Sequence, residues 1–261
     1  VNAVNDLPVL DNIADVTIDE DAAEQTVNLA GISAGGGENQ PLRVTASSSS
    51  PGTFTTATNF TVGDNPSVVS VGDFDGDGNQ DLAVANEADD NVSILLGAGD
   101  GTFAAATTFT VGDNPRSMST GDFDKDGNQD LAVTNHGVAF DNDTVSILLG
   151  NGDGTFGAAT NLTVGDRPSS ISTGDFDADG NQDLAVTNRG AGATPDTSVS
   201  IFLGNGDGSF AAASNFATGT SDPRDVSVGD FDEDGNQDLV VVDAFSTGDR
   251  VSILLGNGDG T

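Results

Sequence analysis

GDFDGDGNQDLAV, Gly72–Val84, decides how this chain is read. It returns as GDFDKDGNQDLAV from Gly121, GDFDADGNQDLAV from Gly174 and GDFDEDGNQDLVV from Gly229, at spacings of 49, 53 and 55 residues. A second run alternates with it: VSILLGAGDGTF from Val92, VSILLGNGDGTF from Val145, VSIFLGNGDGSF from Val199 and VSILLGNGDGT from Val251. A third landmark precedes each acidic loop. It reads GDNP at Gly63 and Gly112, GDRP at Gly165 and, more loosely, TSDP at Thr220. Three ordered landmarks recurring four times exclude chance and argue for repeated structural units of one kind.

Each period reads as four short strands. The first covers about Val68 to Phe74, with Val69, Met118, Ile171 and Val226 matched between units and Ser70, Ser119, Ser172 and Ser227 beside them. The second is Leu82–Asn86, alternating large and small side chains, and the third is Val92–Leu96. The fourth lies within Phe103–Val111. β-branched residues in alternation, bounded by Gly, Asn, Asp and Pro, are the strand signature. The NGDG at Asn151 and its counterparts are hairpin turns, because Gly and Asn accept positive φ at low cost. Nothing in the chain shows a 3.6-residue period. Four strands in about 50 residues, repeated, make an all-β chain of β-propeller blades. Pro51–Gly63 matches a fourth strand placed before the first full unit, and the last unit supplies strands one to three. The four repeats therefore either close into a four-bladed ring, the early strand completing the last blade, or form part of a larger propeller. Closure would remove the exposed sheet edges.

Composition narrows the chemistry. Against 42 acidic residues stand 7 basic ones, for a net charge of −35, with no Cys, Trp or Tyr and a single His. That balance excludes a nucleic-acid binder, which needs a basic face. The absence of Cys excludes thiol catalysis, disulfides and Cys zinc sites. No run of about 20 apolar residues is present for membrane insertion. Nor does a charged-then-apolar leader follow Val1, as expected of a mature or excised piece. Cations are the expected partners of so much acid.

The acidic loop is where a cation would go. Asp73, Asp75 and Asp77 alternate through a tight turn that Gly78 allows to bend, so that the Asn79 carbonyl can point inward and Asp81 close the site. Calcium takes 6–8 oxygens from carboxylates and carbonyls, and magnesium suits such a site less because it keeps its waters. The strand beginning at Leu82 rules out an EF-hand, whose loop leads into a helix. Sixteen of the acidic residues lie in the four loops, and four Ca²⁺ ions would bring −35 to −27.

These two runs together resemble the FG-GAP/VCBS-type repeat of integrin α-subunit propellers and of large secreted bacterial proteins, over about Pro51–Thr261. The resemblance implies a propeller with Ca²⁺ in the hairpin between the first two strands of a blade. By motif match its ligands are Asp73, Asp75, Asp77, Asn79 and Asp81, then Asp122, Asp124, Asp126, Asn128 and Asp130. In the third unit they are Asp175, Asp177, Asp179, Asn181 and Asp183, and in the fourth Asp230, Asp232, Asp234, Asn236 and Asp238. Propellers of this family commonly have seven blades, from which four repeats depart. Residues 1–50 resemble the start of an Ig-like or cadherin-like module, with a boundary expected near Ser50 and a linker-like Ser47–Ser50. There Asp19–Glu20–Asp21 is either an inter-module Ca²⁺ site or a solvated acidic turn.

Function is expected where the units differ. The connections between strands two and three read EADD after Asn86, HGVAFDND after Asn135, RGAGATPD after Asn188 and AFSTGD after Asp243. They carry His136, Phe140, Arg189 and Phe245. Variable loops on a repeated scaffold are where such scaffolds bind partners. The expectation is a calcium-binding structural or adhesive module, secreted or at the cell surface, that takes a protein or glycan through these loops. The alternative is the propeller part of a secreted polysaccharide-active enzyme. Paired carboxylates could suggest glycoside hydrolysis, but the metal-loop pattern accounts for them in every unit. A lone His136 has no repeated nucleophile or second imidazole to act with. No catalytic residue is assigned.

Overall fold

The computed structural model describes residues 56–137, 142–190, 197–219, 222–243 and 250–261. The expected Ig-like or cadherin-like segment, with Asp19–Glu20–Asp21, lies outside the described residues, as do Phe140 and Phe245. Two compact units divide the chain, Val1–Thr58 and Asn59–Thr261. Of the first only residues 56–58 are described.

The second unit is all-β. Strands β1 (Pro66–Gly72), β2 (Asp81–Asn86), β3 (Asn91–Leu95) and β4 (Thr107–Thr110) pair in sequence order in one antiparallel sheet. The pattern repeats in β5 (Pro115–Gly121), β6 (Asp130–Asn135), β7 (Thr144–Leu148) and β8 (Thr160–Thr163). It repeats again in β9 (Pro168–Gly174), β10 (Asp183–Asn188), β11 (Ser198–Phe202) and β12 (Ser214–Ala217). A last sheet holds β13 (Pro223–Gly229), β14 (Asp238–Asp243) and β15 (Arg250–Leu254). Among the described residues no helix is long and apolar enough to cross a membrane.

The strand positions follow the sequence pattern, but the first strand ends at Gly72, short of the expected Phe74, and two further differences stand out. The first strand of each blade starts at its proline, and the register slips there, between Pro66 and Val68 in the first blade. Proline has no N–H to give a ladder. The fourth strand is shorter than expected, since Phe103 pairs only with Gly97 as an isolated bridge before β4 begins.

Sheets pack face to face through alternating side chains. The Leu-Ala-Val of each second strand sends Leu131 and Val133 back against Phe74, Ala83, Ala85, Val92 and Ile94 of the first blade. Ala132 faces the other way, with Val145 and Ile147, onto Ile171, Leu184 and Val186 of the third. The small alanine admits the larger side chains of the next sheet, so each blade fits its successor in one orientation.

The four blades form an open arc. Val69 is 56% exposed, while its counterparts Met118, Ile171 and Val226 are 7%, 5% and 2% exposed. At the other end Val251 is 60% exposed, against 0% for Val92, Val145 and Val199. These are the two halves of one repeated interface, each without a neighbouring blade among the described residues. The four-bladed ring allowed by the sequence is therefore not formed, and the arc is consistent with part of a larger propeller. Residues 56–63 of the would-be closing strand form no strand. Instead Phe60 meets Phe103 edge-on at 5.1 Å, as Phe109 meets Phe156 at 5.4 Å in the next blade. Phe60 thus lies against the first blade as Phe109 of β4 lies against the second, and among the described strands β15 pairs only with β14.

One glycine per blade is dictated by close approach. A Cβ on Gly150, just past β7, would sit 2.3 Å from the Gln129 carbonyl oxygen, and Gly97, Gly204 and Gly256 meet their counterparts at 2.2 Å. Gly150→Ala should cost about 3 kcal/mol in urea unfolding, at the upper end of ordinary substitutions. Gly157→Ala, whose nearest neighbour would be 3.7 Å away, should stay within about 0.5 kcal/mol. Equal effects at the two positions would contradict this packing.

Candidate metal centre

The acidic loop joins β1 to β2, and side chains brace its bends. Asp73 Oδ2 accepts the Gly78 N–H at 3.0 Å, Asp75 Oδ1 that of Asp77 at 3.1 Å, and Asp77 Oδ1 that of Asn79 at 2.7 Å. Gly78 stands at φ +87°, and Gly127, Gly180 and Gly235 at +91°, +80° and +92°, a conformation that glycine adopts without strain. The Asn79 side-chain amide also donates to Asp77 Oδ2 at 2.8 Å, and Asn128 repeats this with Asp126 at 2.8 Å.

The last aspartate of each loop is buried. Asp81 Oδ2 accepts the N–H of Phe74 at 2.8 Å and its Oδ1 that of Gly97 at 2.7 Å. Asp130 binds Phe123 and Gly150 in the same way, Asp183 binds Phe176 and Gly204, and Asp238 binds Phe231 and Gly256, all at 2.7–2.8 Å. One carboxylate thus ties the start of the acidic loop to the end of the third strand.

The following blade holds the loop from outside. The Phe74 carbonyl accepts the Gly154 N–H at 2.9 Å, and those of Phe123 and Phe176 accept Gly208 and Gly260 at 3.0 Å. Gln182 and Gln237 accept the N–H of Asp122 and Asp175 at 2.9 and 2.7 Å. The role of these glutamines was not read from the sequence, although their place in every DGNQD run was a signal.

Carboxylates converge in every blade. Asp73, Asp75 and Asp81 each bring an oxygen within 4.8 Å of the other two, as do Asp122, Asp124 and Asp130, and Asp175, Asp177 and Asp183. Oxygens that share a cation at about 2.4 Å lie no farther apart than about 4.8 Å. In the fourth blade the group is Asp230, Asp232 and Asp234. Asp77, Asp126 and Asp179 fall outside these groups, as does Asp238. For Asp77 and Asp126 the oxygens brace the turn through Asn79 and Asn128.

The donor set fits a hard cation. All grouped atoms are oxygens, and Asp73 Oδ1 and Asp122 Oδ1 are buried without a hydrogen-bond donor. A buried carboxylate oxygen with neither donor nor cation is costly. Burial, and then repulsion from neighbouring carboxylates, raise Asp75, Asp124 and Asp177 above the ordinary carboxylate range. Burial pushes Asp130 up to about 6 despite its two amide hydrogen bonds, and raises Asp183 too. In the end blade the same two hydrogen bonds hold Asp238 below the usual range, since no further blade adds desolvation. The four clusters could hold metal ions and are compatible with Ca²⁺.

The sign of the pH dependence follows. Without an ion, folded Asp130 keeps its proton to about pH 6, while the unfolded chain releases it near 4. Its contribution is fully present below about pH 4 and is lost as pH rises through 6. The ion-free chain should therefore gain thermal stability between pH 7 and about 5. The Ca²⁺-loaded chain should lose stability over the same interval, because protons and calcium compete for the same oxygens. At neutral pH, EDTA should lower the melting temperature, each site held at 100 times its Kd being worth about 2.7 kcal/mol. Parallel pH curves with and without Ca²⁺ would contradict the metal centre.

The opposite end of the blades carries the variable connections. Their first residues bond back to the segment ahead of strand one: Glu87 N–H to Asn65 O, His136 to Asn114 and Arg189 to Arg167, at 2.9–3.1 Å. His136 and Arg189 therefore stand at the rim away from the acidic loops.

A family model described as FG-GAP-like repeat matches residues 73–133, 137–186 and 190–241. No protein with a curated description matches the chain.

Proposed function

The chain belongs to the FG-GAP-like repeat family, and on that premise we propose that it is a calcium-binding propeller module of a secreted or surface-bound bacterial protein, with a structural and adhesive role. A protein or glycan ligand meets the loops between strands two and three. The observation that carries this reading is the division of the blade: oxygen clusters recur at one rim, while residues that differ between units gather at the other. FG-GAP repeats occur in extracellular and surface proteins, where free calcium suits sites of 10⁻⁴–10⁻³ M affinity.

The module is proposed to be non-catalytic. The repeated carboxylates belong to the metal loops or to backbone bracing. His136 Nε2 accepts the Arg167 Nε–H at 3.2 Å, so the imidazole's lone pair is already engaged.

Arrays of glycans and extracellular proteins, probed with the full chain in Ca²⁺ and again in EDTA, test this. Saturable, Ca²⁺-dependent binding without release of reducing ends is expected. Release of reducing ends, abolished by one carboxylate substitution outside the acidic loops, would overturn the assignment and make the chain part of a polysaccharide-active enzyme.

A further inference from the structure

The chain has 7 basic residues among 261, and four of them meet in one place. Arg116, Arg167, Arg189 and Arg224, with the only histidine, His136, and with Ser169, line a cavity of about 240 Å³. They come from the second, third and fourth blades and from the rim that carries the variable connections.

The four arginines and the histidine all stand where units differ. Arg116 and Arg224 follow the proline that opens β5 and β13, where the other two blades carry Ser67 and Ser169. Arg167 precedes Pro168, where the first two blades have Asn65 and Asn114. His136 and Arg189 follow the asparagine that ends β6 and β10, where the first blade has Glu87. The basic departures from the repeat meet at this one cavity, apart from Lys125 and Arg250.

The backbone supports a purpose other than stability. Arg167 stands at φ +56°, matching +54° at Asn65 and +52° at Asn114. Asparagine tolerates this left-handed conformation and arginine does so at a cost. Strain of that kind gathers at functional sites.

The contacts array the guanidinium groups. Glu87 takes Arg116 at 3.2 Å, and Asp222 is shared by Arg189 at 2.5 Å and Arg224 at 2.7 Å. Burial, and then the nearby Arg116, Arg167 and Arg189 against an opposing Asp143, hold His136 below its ordinary range, so the imidazole is neutral and accepts from Arg167. The pairs made by the half-exposed Arg116 and Arg224 add little to stability, so pairing alone does not explain their place in the cluster. Planar guanidinium forks match the oxygens of carboxylate, sulfate and phosphate groups. The net charge of −35 does not forbid such a ligand, because charges beyond about 8 Å are screened at physiological salt.

We propose that this cavity binds a single small oxyanion, the carboxylate of an acidic sugar or a sulfate or phosphate group, carried by the ligand of the variable-loop rim. The proposal rests on reading that rim as the ligand-binding one. The cavity has room for one charged group and the ring that carries it.

Calorimetric titration of the Ca²⁺-loaded full chain with sodium glucuronate, sodium sulfate and glucose, at ionic strength held constant with sodium chloride, tests it. One saturable site for an oxyanion and none for glucose is expected. Tighter glucuronate indicates an acidic sugar, and tighter sulfate a sulfated or phosphorylated ligand. Arg116→Gln with Arg224→Gln should weaken the anion at least tenfold and leave Ca²⁺-dependent melting unchanged, since both side chains are about half exposed. No saturable binding of either anion, or equal binding by the double variant, would overturn the inference. Array binding that persists without anion binding would sink the cavity assignment alone. Anion binding without any array ligand would sink the adhesive reading and leave the cavity standing.

Discussion

A buried carboxylate that accepts two backbone N–H groups is the constraint on which each blade depends. Asp81, Asp130, Asp183 and Asp238 stand at the first position of the second strand, and each joins the acidic loop to the turn after the third strand. Two amides do not fully compensate an ionised group taken out of water, as the rise of Asp130 to about 6 records. In the three blades that carry it within a carboxylate cluster, a cation at that cluster would relieve the remainder. In those three blades the residue that staples the blade is thus the inner wall of the candidate metal centre, so ion binding there would be coupled to folding.

The coupling extends between blades. Each acidic loop but the last is held by the hairpin of its successor, through the Phe74, Phe123 and Phe176 carbonyls. Among the described residues the last loop has no such support. Phe231 is exposed there, and the clustered carboxylates shift to Asp230, Asp232 and Asp234. The difference at this loop follows from its place at the end of an open arc, since its Asp, Asn and Gln positions are those of the others.

The strands were legible because local chemistry decides them. Alternation fixes which of Leu131, Ala132 and Val133 faces which neighbour, and prolines and glycines mark the ends. The acidic loop was legible because spacing alone brings Asp73, Asp75 and Asp81 together. Ring closure was not, because it depends on whether Val69 and Val251 find each other, a long-range matter that identical repeats leave open. The bracing of Asp77 by Asn79 was also hidden, since a carboxylate in an acidic turn can serve either a cation or the backbone. The arginine cluster escaped for a related reason. Arg116, Arg167, Arg189 and Arg224 are scattered in sequence and meet only once the blades stack.

The carboxylate clusters and the arginine cluster thus stand at opposite rims of the same sheets. A direct count of bound calcium tests the central claim best. Equilibrium dialysis of the full chain at millimolar Ca²⁺ should retain four ions per chain, one for each carboxylate cluster, with the end-blade site the weakest. Retention of no more calcium than an acidic chain gathers non-specifically, with no saturation, would contradict it.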